Sequence, residues 1–399
     1  MAQYFLDLVY SLTNCMCCFP GSPRLTINNR SFKILRLLGE GGFSYVYLVQ
    51  DDKGQLYALK KIRCPFGAES VTRAMSEVEA YKLFQAHPNV INMIDFVVST
   101  DTSRSAVSGF SADNDTQKTV YILLPYFRRG NLQDAINANL VNHTTFPEKQ
   151  LLRLFLGVCK GVQALHEHKL KSPGTVRRGP GAEQAPEEDA EGHPLMNNTT
   201  IAASTEGVSE GELRPYSHRD IKPGNVMIAD DGTTPILMDF GSLTPSPTPI
   251  TSRAQALAVQ DHAAETSTMP YRAPELFDVQ TNSIIDTKVD IWSLGATLFT
   301  ALYGHSPFEL ATEESGGSLA LAICSGAYSF PEPGRLGGRK VGQEDVSEDV
   351  KEIVRMCLKI EPSDRPDIIG LIKEVERVLA KLGGGAPSEA FAIDDEADE

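Results

Sequence analysis

From Ser31 to about Val98 the hydrophobic positions come in short runs, Phe32 to Leu37, Tyr45 to Val49 and Leu56 to Ile62, as in half-buried strands. A helical stretch from Val71 to Phe84 and a further strand-like run from Ile91 to Val98 follow. The pattern predicts a small strand-rich lobe with one main helix. Residues 99–118 are mostly Ser, Thr, Asp and Asn and predict a flexible loop before a strand from Thr119 to Leu124. Beyond Leu132 the period lengthens to that of helices, over Gln150 to His168, Ile284 to Tyr303, Val350 to Leu358 and Pro366 to Leu382. A helical lobe is therefore expected after the sheet, its last helix stopping at Gly383-Gly384-Gly385.

Two stretches depart from this pattern. Residues 171–214 contain no aromatic, four prolines, six glycines and eight carboxylates against four bases, too little apolar area to offset chain entropy. They predict a disordered insertion, either a tolerated spacer or a docking or phosphorylation segment. From Pro387 onward there are six carboxylates and no base, a solvated acidic tail. The expected organisation is a leading segment over 1–30, a first lobe over 31–127, a second over 128–382 and a tail over 383–399.

Composition narrows the function. With 41% apolar and 22% charged residues among 399, most of the chain can fold, and a formal charge of −15 argues against a general nucleic-acid binder. Seven cysteines, three of them crowded at Cys15, Cys17 and Cys18, are no disulfide framework. No apolar run reaches the roughly 18–20 residues that span a bilayer, and no basic flank with a cleavage site opens the chain, so a cytosolic or cytosol-facing protein is expected.

The candidate chemistry lies in five motifs. Gly39-Glu40-Gly41-Gly42-Phe43-Ser44-Tyr45-Val46 sits between two strand runs, where small residues let backbone N–H groups close over phosphate oxygens. Ser44 replaces the third glycine of the usual pattern. Tyr57-Ala58-Leu59-Lys60 ends a strand on a single Lys. His218-Arg219-Asp220-Ile221-Lys222-Pro223-Gly224-Asn225 is followed by Asp239-Phe240-Gly241 and by Ala273-Pro274-Glu275. In this order and spacing the motifs resemble those of a eukaryotic protein kinase, over roughly residues 32–382 apart from the two loops.

The resemblance implies an α+β, bilobal protein kinase fold, with ATP and Mg²⁺ as cofactors and proteins as substrates. Phosphoryl transfer asks for positioning and charge stabilisation, which accounts for the residue types. By resemblance, Asp220 accepts the substrate hydroxyl's proton or orients it, and Asn225 and Asp239 hold Mg²⁺. Lys60 grips the α and β phosphates and is held by a helix carboxylate, Glu77 or Glu79. Lys222 and Thr268 match the Ser/Thr branch of the family, with Thr268 bracing Asp220 and Lys222, so acceptors should be Ser or Thr. Arg365 matches the structural partner of Glu275, and Asp290 to Gly295 match the buried helix of the large lobe, with Trp292 as core. Counting back from Gly130-Asn131-Leu132 puts Leu124 deep in the adenine pocket. Pro125, Tyr126 and Phe127 then form the hinge, and Leu38, Val46, Ala58 and Met227 the walls.

The run from Ser252 to Glu265 is alanine-rich and helix-favouring, yet lies in the activation segment, normally an irregular loop. An ordered helix there resembles the Numb-associated kinase family. The glycine loop, the hinge and the cysteine cluster resemble its myristoylated and palmitoylated branch, including the fungal vacuolar-membrane kinase. That likeness implies action at the cytosolic face of a membrane, the vacuole first and the Golgi second, with a cytoplasmic pool and less dependence on loop phosphorylation. Ala2 stands where myristoylation needs glycine, which excludes that modification. An amphipathic stretch with Phe5, Leu8, Val9 and Leu12 on one face precedes Cys15, Cys17 and Cys18. These cysteines are either palmitoylated, giving peripheral membrane attachment, or inert thiols beside a helix packed on the lobe. A pseudokinase scaffold would lack one of Lys60, Asp220, Asn225 or Asp239, and a small-molecule kinase leaves Lys222, Thr268 and the Ala273-Pro274-Glu275 platform unexplained.

Overall fold

The computed structural model describes residues 24–100, 118–170, 211–332 and 345–383. The chain divides into two compact units, Met1–Ala74 with Met93–Tyr126, and Met75–Asn92 with Phe127–Glu399.

The first unit is a six-stranded antiparallel sheet of β1 (Arg24–Ile27), β2 (Arg30–Glu40), β3 (Ser44–Asp51), β4 (Leu56–Cys64), β5 (Asp95–Thr100) and β6 (Lys118–Pro125), in the order β1-β2-β3-β4-β6-β5. It begins earlier than the hydrophobic pattern suggests. Asn28 and Asn29, with φ of 42° and 68°, join Ile27 to Arg30 in a two-residue hairpin turn, so residues 24–30 belong to the sheet and not to the leading segment. Asn28 Nδ2 then donates to Asp95 Oδ1 at 2.8 Å and to the Phe96 carbonyl at 3.0 Å, tying the first strand to the far edge strand and curling the sheet on itself. Ile27, Phe32, Val49, Leu59, Tyr121 and Leu123 fill the space this encloses. Each such side chain contributes about 1.5–3 kcal/mol by leaving water.

Helix α1 (Gly67–Leu83) follows β4, starting four residues before the expected Val71, and its second half clusters with the helical unit. The reason lies in the chain just beyond it. The Asn89 carbonyl accepts from Leu237 N at 2.9 Å, Ile91 N donates to the Leu237 carbonyl at 3.0 Å, and Asn89 Nδ2 donates to the Pro235 carbonyl at 3.0 Å. This loop presses on α3 (Glu148–His166), where a methyl group on Gly157 would lie 2.5 Å from Pro235 and one on Gly161 2.7 Å from the Asn89 carbonyl. Glycine at both positions permits the approach. The chain from Ile91 to Ile94, expected as strand, is irregular, and β5 starts at Asp95.

The second unit also holds α2 (Leu132–Asn142) and several short two-stranded ladders. β8 (Val226–Ile228) and β9 (Pro235–Leu237) form a hairpin, and β7 (Tyr216–Ser217) pairs across it with β10 (Thr244–Pro245). Past His166 the chain leaves the helix, and Lys169 bridges to Leu213, with Arg214 N donating to the His168 carbonyl at 2.7 Å. Residues 211–214 are thus a paired stem rather than part of a structureless insertion; residues 171–210 lie outside the described residues. β11 (Thr248–Pro249) pairs with β12 (Ile284–Ile285), so Ile284 and Ile285 are strand, and α5 (Lys288–Tyr303) begins after them. α5 is buried from Val289 to Tyr303, with Trp292 stacked on Phe308 at 5.3 Å. Around it lie α4 (Arg253–Thr266), α6 (Pro307–Ser315), α7 (Leu319–Ser325), α8 (Glu348–Cys357) and α9 (Ile368–Lys381).

Candidate active site

Strand register sorts the residues of the first unit. Val46 pairs with Lys60 and Lys60 with Ile122; Leu48 pairs with Ala58 and Ala58 with Leu124. Directly opposed residues share a face and alternate residues return to it, so Val46, Ala58, Lys60 and Leu124 lie on one face of the sheet. Leu59 and Leu123, on the other face, belong to the core. Leu38 sits where the β2–β3 register shifts between Leu37 and Gly39. The tip of that hairpin closes through Gly41 N donating to the Ser44 carbonyl at 2.8 Å. Gly39 and Gly42 have nothing within 4 Å of where a methyl group would stand, leaving open backbone there. Tyr45 faces away from Val46 and stacks on Tyr47 at 6.3 Å, so its side chain lies opposite the Lys60 face.

In the second unit one buried carboxylate organises the catalytic loop. Asp290, at the start of α5 and 0% exposed, accepts from His218 N at 2.7 Å and Arg219 N at 2.8 Å, with His166 Nε2 at 2.9 Å. Burial works to raise its pKa, yet His166, His218 and the Arg219 amide together hold it below the usual carboxylate value. Arg219 is itself held with φ 66° and is 3% exposed; burial brings its guanidinium down to about 10 while Asp290 acts in the opposite direction. His218 Nδ1 faces the Asp220 amide at 3.3 Å and its Nε2 the Met238 carbonyl at 3.1 Å, so Nδ1 is placed to accept and Nε2 to donate.

Fixed from behind in this way, Asp220 is held from the front by three donors. Its Oδ1 accepts from Thr268 N at 2.8 Å, and its Oδ2 from Asn225 Nδ2 at 3.0 Å and Lys222 Nζ at 2.9 Å. Asn225 Nδ2 also reaches the Asp220 carbonyl at 2.8 Å, and Lys222 Nζ the Thr268 hydroxyl at 2.6 Å. Met238 N donates to the Asn225 carbonyl at 3.0 Å, which brings Asn225 alongside Asp239. Met227, on β8, pairs with Ile236 and bridges to Asn131.

Asp239 has φ 66°, and its carboxylate accepts from Gly241 N at 3.4 Å. Phe240 is buried between Tyr81 at 5.2 Å, Phe84 at 5.8 Å and His218 at 5.6 Å, so α1, the catalytic loop and the Asp239 turn share one aromatic cluster. Of the two carboxylates on α1, Glu77 is 6% exposed and accepts from Tyr81 Oη at 3.1 Å. Its Oε2 lies 3.6 Å from the methyl position of Gly241, with Asp239 Oδ1 3.4 Å from the same point. Glu79 is roughly 200° further round the helix and acts electrostatically on Tyr216. Glu77 is thus the carboxylate that shares a turn with Asp239.

The segment after Asp239 contains the helix expected there. Ser252 caps α4, its Oγ accepting from Gln255 N at 3.2 Å. At its other end Ser267 Oγ donates to the Ala263 carbonyl at 2.6 Å and accepts from Arg272 Nε at 2.7 Å. Glu275 meets Arg365 in a two-pronged pair of 2.7 and 2.8 Å, and Arg365 is 2% exposed. The remaining Arg365 N–H groups donate to the carbonyls of Lys359, Lys288 and Ile360. The whole fork is satisfied.

Among the described residues no group of three or more His, Cys, Asp or Glu could hold a metal ion; the available set is the Asp239 carboxylate with the Asn225 amide. Cys15, Cys17 and Cys18 lie outside the described residues. Sequence reasoning missed His166 and the part played by Asp290 in fixing the two loop amides. An acid that opens an otherwise apolar buried helix was the available signal for Asp290.

A model of the protein kinase domain matches residues 32–171 and 213–375. Similar proteins include serine/threonine-protein kinase ENV7 of Saccharomyces cerevisiae, 34% identical over 93% of this chain and 100% of that protein. Serine/threonine-protein kinase ppk13 of Schizosaccharomyces pombe is 35% identical over 88% and 91%. Serine/threonine-protein kinase 16 of Rattus norvegicus is 30% identical over 92% and 96%.

Proposed function

We propose that this chain, which belongs to the protein kinase domain family and is a serine/threonine protein kinase, carries out phosphoryl transfer at Asp220, the carboxylate that takes up or orients the proton of the acceptor hydroxyl. The observation that carries this reading is the fixing of both Asp220 oxygens by Thr268 N, Asn225 Nδ2 and Lys222 Nζ. A carboxylate so held cannot rotate away from an incoming hydroxyl. Lys222 brings a positive charge to the same carboxylate, where charge develops on the transferred group. Asn225 spends Nδ2 on Asp220, so Oδ1 is the atom it offers to a hard cation, beside the Asp239 carboxylate. One amide and one carboxylate suit magnesium that shares its coordination with nucleotide phosphates. When bound, MgATP supplies the phosphoryl group and the divalent charge.

Lys60 would take the α and β phosphates with Glu77 as the carboxylate that would hold it, and residues Gly39 to Val46 would close over them. Leu38, Val46, Ala58, Leu124 and Met227 would line the adenine, with hydrogen bonds from the backbone of Pro125 to Phe127. Phosphoamino-acid analysis after labelling from [γ-³²P]ATP tests this: label on Ser and Thr supports it, and label on Tyr alone contradicts it. In Asp239→Asn, magnesium-dependent tightening of ADP binding should be lost.

The finer placement rests on two features. The helix α4 within the activation segment supports a place in the Numb-associated kinase family. The cluster Cys15-Met16-Cys17-Cys18 supports palmitoylation and peripheral attachment to the cytosolic face of a vacuolar or Golgi membrane, in trafficking or vacuole-related regulation, with autophosphorylation among its activities. Replacing Cys15, Cys17 and Cys18 by Ser should release the protein from membranes, and unchanged fractionation would remove this part of the reading.

A further inference from the structure

The tip of the glycine hairpin and the turn between β4 and α1 share contacts that none of the site residues above account for. Phe43 is 52% exposed and Phe66 67%, yet their rings meet edge to face at 5.7 Å and 78°. Phe66 stands just before α1, its backbone N–H donating to Ser70 Oγ at 3.1 Å, so its ring projects from a fixed base. The backbone of Phe43 is tied to the end of β4 as well, its carbonyl accepting from Arg63 N at 2.8 Å. Arg63 lays its guanidinium over Tyr45 at 5.1 Å. The two aromatic residues flanking Ser44 are therefore each held from the end of β4 or the turn after it, Phe43 by Phe66 and Tyr45 by Arg63.

A hairpin tip built on Gly41 and Gly42 has conformational freedom to lose before it can close over a ligand. An aromatic contact that forms in the free protein removes part of that loss in advance. An exposed phenylalanine pair has little to contribute to the core, so its effect falls on the hairpin.

We propose that Phe66 is a positioning residue for nucleotide binding: through Phe43 it holds the backbone of residues 41–44 in place for the phosphates, and it touches no reacting atom. This rests on the reading that residues 39–46 cover the phosphates of ATP.

The test measures dissociation constants of a non-hydrolysable ATP analogue and of adenosine by calorimetry, together with kcat and KM for ATP. The proteins compared are wild type, Phe66→Ala, Phe66→Tyr, Phe43→Ala and the double alanine variant. Phe66→Ala should bind the triphosphate analogue about three- to tenfold more weakly, from loss of one aromatic contact. Adenosine affinity, kcat and the thermal midpoint should stay at wild-type values. Phe66→Tyr should restore analogue binding, and Phe66→Ala should add nothing in the Phe43→Ala background. Wild-type analogue affinity in Phe66→Ala with weakened affinity in Phe43→Ala would overturn the role of Phe66 and leave the hairpin reading standing. Unchanged affinity in both single variants would overturn the hairpin reading and the proposal with it. Equal weakening of adenosine and analogue would also overturn the proposal, since the effect would then lie outside the phosphates.

Discussion

Thr268 donates its backbone N–H to Asp220 Oδ1 at 2.8 Å while its hydroxyl accepts from Lys222 Nζ at 2.6 Å, so one residue of the activation segment fixes two residues of the catalytic loop. Thr268→Val keeps the backbone bond and the shape but removes the hydroxyl. Losing a hydrogen bond to a charged donor costs roughly 1.5–3 kcal/mol. The expected result is a fall in kcat of about ten- to a hundredfold with KM for ATP near wild type, and Thr268→Ser should recover most of it. Steady-state kinetics on a protein substrate checks this.

The Glu275–Arg365 pair should matter for stability instead. Breaking a buried pair by removing one partner costs roughly 3–5 kcal/mol. Arg365→Ala should therefore lower the thermal midpoint by on the order of 10 °C. Arg365→Lys should rescue little, because an ammonium cannot reach Glu275 and three carbonyls from one planar fork. Differential scanning calorimetry with and without Glu275→Gln gives the coupling.

Asp290 carries a pH dependence whose sign follows from its environment. Its folded pKa lies below the ordinary value of 3.8, so the unfolded chain binds this proton more readily. The stabilising contribution is present above that value and is lost as pH falls through the folded pKa. Urea midpoints taken from about pH 6 to pH 3 should decline towards acid in wild type. The decline should be shallower in Asp290→Asn.

The motifs that carry chemistry were legible because each is contiguous and its geometry is local. His218 to Asn225 is one loop, Asp239 to Gly241 one turn, and Ser252 followed by an alanine-rich run is a capped helix in sequence as in structure. What stayed hidden depends on contacts across long separations. His166 and Asp290 meet across 124 residues, and no local pattern marks that meeting. β1 escaped for a different reason: four residues with Leu25 and Ile27 as apolar positions are a weak run, although Asn28-Asn29 after them is a hairpin turn signal. Ile284 and Ile285 read as helix because they adjoin one; their partners in β11 lie in the activation segment. Which of Glu77 and Glu79 lies beside Gly241 could not be read by counting residues, since it turns on which face of α1 meets that turn.

An ordered helix in the activation segment should lessen the need for phosphorylation there. Thr266 Oγ1 is bonded to the His262 carbonyl, Ser267 Oγ to Ala263 and Arg272, and Thr268 Oγ1 to Lys222. A phosphate on Thr266 or Ser267 would remove the proton its hydroxyl donates, and one on Thr268 would crowd the hydroxyl that already accepts from Lys222. Phosphatase-treated protein, shown by mass spectrometry to be unmodified at all three, should keep kcat within about twofold of untreated enzyme, a change of under 0.5 kcal/mol.

The rate of γ-phosphoryl transfer at saturating MgATP, compared between wild type and Asp220→Asn, tests the central claim most directly. The substituted side chain keeps one acceptor oxygen, enough for Thr268 N or for Asn225 Nδ2 and Lys222 Nζ but not for all three, and its amide cannot take up a proton. Transfer should fall by about 10²–10⁴-fold while binding of the ATP analogue is retained. Equal transfer by the two proteins would contradict the assignment of Asp220 and the mechanism built on it.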